Sequence, residues 1–152
     1  EKRPDMVGVL QTRGNFHYST NNLTKPAQIW IRQTDDYATL DGTCIRDYLH
    51  VMDLADAHVR GIDWLLEGGA PLTLHLGTGS GFSVREVIDA AAAVTNRPVP
   101  QKIGPRRAGD PPKLVSGSKE AEEKLGWKLE HSTMERMLRD AWRWRATGLY
   151  KT

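Results

Sequence analysis

Two adjacent arginines in a proline-rich stretch are the residues of this sequence best suited to holding an anion. Arg106 and Arg107 follow Pro105 and precede Asp110 in the run P-R-R-A-G-D-P-P at 105–112. A planar guanidinium matches the oxygens of a phosphate or diphosphate, and prolines restrict the loop before it binds. Asp110 can accept hydrogen bonds from sugar hydroxyls. The run predicts a phosphate site, and its alternative is a solvated loop with a local Arg–Asp pair.

A second group of polar side chains alternates with apolar ones in C-I-R-D-Y-L-H-V at 44–51. This alternation is typical of a short strand, which would place Arg46, Tyr48 and His50 on one face. A cation, a phenol and an imidazole together could bind an anion. An edge strand with exposed polar residues has the same pattern, so both interpretations stand.

A glycine-rich turn is the third candidate, with Gly77, Gly79 and Gly81 ahead of a capping box formed by Ser83 and Glu86. Backbone N–H groups at a helix N-terminus can hold a phosphate. However, G-x-G-x-G is not the full dinucleotide fingerprint, and no acidic residue follows at the spacing that a ribose requires. The pattern favours a structural turn.

Other chemistries have weaker support. A metal site from Cys44, His50 and His58 lacks any tight pair of ligands, and no G-x-S-x-G marks a serine hydrolase. Trp127, Trp142 and Trp144 are interpreted as packing residues, so we expect no nucleic acid partner.

Strands alternate with helices along the chain, which predicts an α/β fold. Apolar spacing predicts a helix at 53–67 with Asp53 as N-cap, a helix from Ser83 to Asn96, and a short helix at 118–125 that Gly126 ends. The last helix is expected to open with a capping box at Ser132–Glu135. Strands are predicted at 28–32, 44–51 and 72–76.

The 152 residues are 39% hydrophobic and 26% charged, which suits one globular domain. Residues 1–76 carry 7 basic and 10 acidic groups and residues 77–152 carry 14 and 9, so a net charge of +5 lies in the second half. The absence of a long apolar run, of a signal pattern and of a second cysteine beside Cys44 predicts a cytoplasmic protein with no membrane partner. Because the chain starts at Glu1 rather than Met, we expect it to have been processed, trimmed or cut from something longer.

Several motifs, taken in order, resemble UDP-glucose 4-epimerases. The resemblance covers about residues 35–146, while residues 1–28 match nothing and stay unassigned. Its motifs are D-Y-x-T-x-D-G-T-x-I-R-D-Y-x-H-V-x-D-L-A-D-A-H at 36–58, L-G-T-G-x-G-x-S-V-x-E-V at 76–87, P-R-R-x-G-D-P at 105–111, L-G-W at 125–127 and D-A-W-R-W at 140–144.

The resemblance implies the C-terminal part of an extended short-chain dehydrogenase/reductase: a partial Rossmann sheet with a small substrate-binding subdomain. Residues 29–152 would then form a UDP-sugar-binding domain for UDP-glucose or UDP-galactose. The family pattern gives Arg46 and Arg107 the phosphates and Asp110 the ribose, with Trp30 or Ile31 against the uracil. Leu114 stands where the family often has a tyrosine.

The same resemblance implies that catalysis needs NAD and a Tyr-x-x-x-Lys pair, and this sequence holds neither that pair nor G-x-x-G-x-x-G. We therefore expect no catalytic residue, no cofactor in this chain and no epimerisation by it alone, with NAD belonging to the full-length family. A missing N-terminal catalytic half is a possible partner, and no family-type dimer is expected. The alternatives are an interaction module with a collapsed cleft, or a small oxidoreductase that uses the Gly77 turn.

Overall fold

The computed structural model describes residues 16–17, 30–106 and 108–147. Its four helices and six short strands alternate as the α/β prediction requires. In chain order the elements are β1 (Phe16–His17), β2 (Trp30–Gln33), β3 (Ile45–Arg46), α1 (Val51–Leu66), β4 (Phe82–Ser83), α2 (Val84–Thr95), β5 (Lys102–Ile103), β6 (Lys113–Leu114), α3 (Lys119–Leu125) and α4 (Met134–Thr147).

The strands form two small sheets, each with one antiparallel and one parallel pairing. The first has the order β1-β2-β5 and the second β4-β3-β6. In the second sheet Arg46 lies opposite Phe82 on one side and Leu114 on the other. The proline-rich run predicted to bind an anion leaves β5 of the first sheet and ends at β6 of the second, beside Arg46.

The helix predicted at Ser83 is confirmed in detail. The Ser83 hydroxyl accepts from the Glu86 N–H, while the Ser83 N–H donates to the Glu86 carboxylate at 2.6 Å. Asn96 ends α2 in the left-handed region at φ 50°. These contacts involve residues three apart, which is why the local pattern located both ends.

The start of α1 differs from the prediction. The helix begins at Val51, and its N-cap is His50, whose Nδ1 accepts from the Met52 N–H at 3.0 Å. Asp53 was expected to cap this helix but lies inside it, almost fully buried, because the segment 130–132 supplies its hydrogen-bond donors. A distant segment of the chain outweighed the local capping preference.

Two further predictions near the C-terminal end have opposite outcomes. α3 is confirmed, and Gly126 ends it at φ 59°. The capping box at Ser132–Glu135 is wrong, since the Ser132 hydroxyl donates to Asp53 and α4 begins at Met134.

The strand predictions also divide. The predicted strand at 44–51 is reduced to Ile45–Arg46, and that at 28–32 corresponds to Trp30–Gln33. Residues 72–76 form no strand with any described residue, although their side chains alternate between half-buried and exposed.

Three apolar clusters hold these elements together. Ala57 of α1, Ala121 of α3 and the fully buried Trp127 form one. Tyr48 with Met134 and Met137 of α4 forms the second, and α2 contributes Val84 and Ile88 to the third. Among the described residues, no helix is long and apolar enough to span a membrane.

Candidate functional site

The carboxylate of Asp110 joins the proline-rich loop to β3 and to the segment before it. Its Oδ1 accepts from Arg46 Nη2 at 2.6 Å, and its Oδ2 accepts from the Tyr37 hydroxyl at 2.8 Å. Asp110 is 64 positions from Arg46 and 73 from Tyr37, so the loop closes onto both β3 and the segment before it. We call Arg46, Asp110, Tyr37 and Arg106 the Asp110 cluster.

Arg46 is the buried cation of this cluster. Its side chain is 7% exposed, whereas that of Asp110 is 28% exposed. Nη1 donates to the Ile45 carbonyl at 2.8 Å. With the bond from Nη2 to Asp110, two of the five N–H groups of Arg46 are used. A guanidinium held by the Ile45 carbonyl and by Asp110 is oriented before any ligand arrives.

Arg106 covers the other side of the cluster. Its guanidinium carbon lies 4.3 Å from the centroid of the Tyr37 ring, and Nη2 donates to the Asp110 carbonyl at 3.4 Å. Burial raises the pKa of Tyr37, and the hydrogen bond to Asp110 raises it further. The phenol therefore remains a donor at neutral pH, and Arg106 stays exposed at the rim.

The turn after Tyr37 is held by a second carboxylate. Asp41 accepts from the N–H of Thr43 at 2.8 Å and from its hydroxyl at 2.7 Å, and from the Ser83 hydroxyl. Burial alone would raise the pKa of Asp41, but the hydrogen bonds from Ser83 and Thr43 outweigh it and leave the pKa lowered. A Cβ at Gly42, which has φ +78°, would stand 2.2 Å from the Asp35 carbonyl oxygen, so this turn needs glycine.

The glycine turn at 77–81 is structural, as the sequence favoured. The Thr78 N–H donates to Asp47, and the Gly79 N–H donates to the Ser116 carbonyl at 2.9 Å. A Cβ at Gly77 would stand 2.2 Å from the Ser116 oxygen. Since the protein itself takes these N–H groups, the turn does not fit a dinucleotide phosphate.

Arg46, Tyr48 and His50 are all buried, but they do not form the joint anion-binding group that the predicted strand would give. Tyr48 packs against Met134 and Met137, where burial raises its pKa to about 12. His50 caps α1, and its Nε2 lies 3.3 Å from Asp140. The strand ends at Arg46, yet the three side chains stay buried and alternate with half-buried neighbours; what separates them is that each contacts a different part of the protein.

The candidate metal ligands are also separate in role. His58 Nδ1 contacts the Leu54 carbonyl at 2.7 Å, while His50 Nδ1 caps α1. Burial raises the pKa of Cys44. Across the part of the chain that the structure describes, no three His, Cys, Asp or Glu side chains group as metal ligands would.

The structure thus brings together only part of the predicted site. Arg46 and Asp110 meet directly, and Trp30 and Ile31 lie in β2. Arg107 falls outside the described residues. The sequence analysis did not predict that Tyr37, which stands in the D-Y-x-T-x-D motif, belongs to the site. It also gave Arg106 no role separate from that of Arg107.

No family model matches this chain. It is 48% identical over 110 residues to a UDP-glucose 4-epimerase of Halalkalibacterium halodurans, covering 72% of this chain and 33% of the relative. It is 49% identical over 111 residues to one of Rhizobium leguminosarum bv. trifolii, covering 73% and 34%. The chain therefore spans about a third of the length of the curated relatives it matches.

Solved structures agree. A crystal structure of UDP-glucose 4-epimerase matches with a TM-score of 0.74 at 46% identity, covering 80% of this chain and 36% of that one. Another, from Stenotrophomonas maltophila with bound NAD and formylated UDP-arabinopyranose, has a TM-score of 0.72 at 42% identity, covering 79% and 35%.

The fold is that of part of a short-chain dehydrogenase/reductase-type epimerase. More particularly, the chain resembles the C-terminal part of UDP-glucose 4-epimerases, as its motifs predicted.

Proposed function

We propose that residues 29–152 bind a UDP-sugar, UDP-glucose or UDP-galactose, as the substrate-binding part of a UDP-glucose 4-epimerase-like protein. The observation that carries the proposal is the Arg46–Asp110 pair, which joins two residues that the family pattern assigns to one ligand. A solved relative from Bifidobacterium longum was crystallised with NAD+ and UDP, which supports the ligand class.

The charges of the Asp110 cluster favour an anion. Arg46 and Arg106 outnumber Asp110, and Arg107 is a second arginine in the same loop as Arg106. In our proposal Arg46 and Arg107 hold the diphosphate, Asp110 holds the ribose, and Trp30 or Ile31 contacts the uracil. Tyr37 keeps Asp110 in place through its hydroxyl.

We assign no catalytic step to this chain. In whole relatives NAD would supply the hydride chemistry, and the described glycine turn does not fit that cofactor because Asp47 and Ser116 already take its N–H groups. The part that holds NAD, and the tyrosine and lysine that move protons, would come from residues outside this sequence.

Calorimetric titration of the full chain with UDP tests the proposal. We expect binding that saturates at millimolar UDP and is lost in Arg107→Ala. Arg46→Lys keeps the charge but loses the planar fork, so affinity should fall about tenfold. Arg139→Ala on α4, whose partner is Glu135, is the matched control and should bind normally. No heat at millimolar UDP, or equal losses in Arg107→Ala and Arg139→Ala, would reject the site.

One observation favours a second function, that of an interaction module with a closed cleft. Arg46 is 7% exposed and already paired, so a diphosphate must displace or share Asp110 to reach it. Under this alternative the same titration shows no UDP binding, while the Arg46–Asp110 pair acts only to join β3 to the loop.

A further inference from the structure

Arg46 already has an anionic partner in the structure, and that partner is the carboxylate of Asp110. Its Nη2 donates to Asp110 Oδ1 at 2.6 Å, and its side chain is only 7% exposed. A guanidinium binds carboxylate and phosphate oxygens through the same charge-assisted hydrogen bonds. A phosphate that reaches Arg46 must therefore displace the carboxylate or share the guanidinium with it, and sharing would place two anions side by side.

Asp110 lies between a glycine and an anchored stem. Gly109, immediately before it, has φ +78°, and a Cβ built there meets nothing within 4 Å. On the other side, the Pro112 carbonyl accepts from the Ile45 N–H at 2.8 Å, and β6 pairs with β3 directly afterwards. The stem is thus fixed to the strand that carries Arg46, whereas the glycine with open space beside it allows the backbone of Asp110 to rotate. Asp110 can leave Arg46 without disrupting the sheet.

The other contacts of Asp110 are ones that a ligand can replace. The Tyr37 hydroxyl donates to Oδ2 at 2.8 Å, and Arg106 Nη2 donates to the Asp110 carbonyl at 3.4 Å. The Asp110 side chain is 28% exposed, so water and ligand hydroxyls can reach the carboxylate. Ribose hydroxyls are donors of the same kind as a side-chain hydroxyl. A ligand that carries ribose hydroxyls beside its diphosphate therefore offers Asp110 new donors in exchange for Arg46.

We propose that Asp110 is a specificity-determining residue that disfavours bare inorganic anions at Arg46 and so selects nucleoside diphosphates. While the site is empty, the carboxylate competes with any incoming phosphate for the guanidinium. A nucleoside diphosphate overcomes this competition because its ribose gives the displaced carboxylate new hydrogen bonds, whereas pyrophosphate brings further negative charge. The inference rests on the proposed function and extends it from the groups that hold the ligand to the anions that the site rejects.

Calorimetric titration of the full chain with pyrophosphate and with UDP tests the proposal. Asp110→Asn removes the negative charge but keeps the size of the side chain and an acceptor oxygen for Tyr37. Its affinity for pyrophosphate should exceed that of the wild type at least about tenfold, the equivalent of one charged hydrogen bond. Its affinity for UDP should change by less than about threefold, because weaker ribose contacts offset the removal of the competitor.

Asp35→Asn is the matched control, since it removes an exposed carboxylate two residues before Tyr37. It changes the net charge by the same amount and so measures the long-range attraction of the anion, which we expect to alter pyrophosphate affinity less than about twofold. Asp110→Ala is a second variant that should also bind pyrophosphate more tightly than the wild type. Urea denaturation checks that each variant is folded.

Several outcomes would overturn the proposal. Equal pyrophosphate affinities of the wild type and Asp110→Asn would do so, and so would the absence of binding by both. A gain in Asp35→Asn as large as that in Asp110→Asn would assign the effect to net charge. A gain for UDP as large as that for pyrophosphate would remove the selection. Failure of both Asp110 variants to fold would make the Arg46–Asp110 pair a structural joint instead.

The proposed function fails separately. Pyrophosphate binding by Asp110→Asn without UDP binding by the wild type would remove the proposed ligand and keep Asp110 as the group that blocks Arg46. UDP binding by the wild type without tighter pyrophosphate binding by Asp110→Asn would do the reverse.

Discussion

Two carboxylates of this protein, Asp53 and Asp110, differ in what surrounds them. Asp53 is 1% exposed and accepts from the N–H groups of Glu130 and His131 and from the Ser132 hydroxyl, at 2.5 to 3.2 Å. Asp110 is partly exposed and its side chain accepts from other side chains, Arg46 and Tyr37. A buried carboxylate held mostly by backbone donors joins two segments, whereas one held by side chains at a surface can exchange them for a ligand.

The electrostatic surroundings of Asp53 and Asp110 also differ. Burial alone would raise the pKa of Asp53, but the hydrogen bonds from Ser132, His131 and Glu130 outweigh it and leave the pKa lowered. The ionised form of Asp53 is therefore part of the folded state. In the Asp110 cluster the excess charge is positive and lies at the rim, at Arg106.

The largest expected effect is that of Asp53→Ala. Removing the acceptor leaves the 130–132 donors buried without partners, so the free energy of unfolding should fall by about 3 kcal/mol. Urea denaturation measures this, with Asp63→Ala, an exposed residue of the same helix, as the control near zero. If Asp53→Ala loses no more unfolding free energy than the control, the hydrogen bonds between Asp53 and residues 130–132 do not stabilise the fold.

The second effect is that of Asp110→Ala, which we expect to cost about 1 to 2 kcal/mol. The cost is smaller because Asp110 is 28% exposed, so water can take its place beside the buried Arg46. Added inorganic phosphate should reduce the difference in unfolding free energy between Asp110→Ala and wild type, because it gives Arg46 another anionic partner. Phosphate should not reduce the corresponding difference for Asp53→Ala. Equal responses of the two variants would contradict the distinction drawn between Asp53 and Asp110.

The third effect is a pH dependence. Because the pKa of Asp53 is lowered on folding, its contribution is complete above the unfolded value of about 3.9 and is lost as pH falls through the folded pKa. The difference in unfolding free energy between wild type and Asp53→Ala should thus shrink as urea titrations move below pH 4. If this difference in unfolding free energy increases below pH 4, the pKa of Asp53 is not lowered on folding.

The smallest expected effect is that of Tyr37→Phe. The change removes the hydrogen bond to Asp110 but keeps the ring under Arg106, so we expect about 1 kcal/mol or less in stability. UDP titration of the same variant reports whether Tyr37 positions Asp110. A drop larger than that of Asp110→Ala would place Tyr37, rather than Asp110, at the centre of the site.

Sequence reasoning succeeded where the contacts are local. The Ser83–Glu86 capping box and the Gly126 helix end were predicted because the groups that satisfy each other lie within a few residues. It failed at Asp53 and Ser132, which look like helix caps but bond to each other across the chain. No local sequence pattern distinguishes an aspartate that caps a helix from one that accepts hydrogen bonds from a distant loop.

The candidate site divides in the same way. The motifs named Arg46 and Asp110 as residues of one ligand site, and the types and order of residues were enough for the α/β class and the resemblance. Their pairing at 2.6 Å, the place of Tyr37 between them and the unpaired 71–76 segment were decided by tertiary structure. The reason is physical: hydrogen-bond partners 64 and 73 positions apart meet only when the sheets bring the loop ends together.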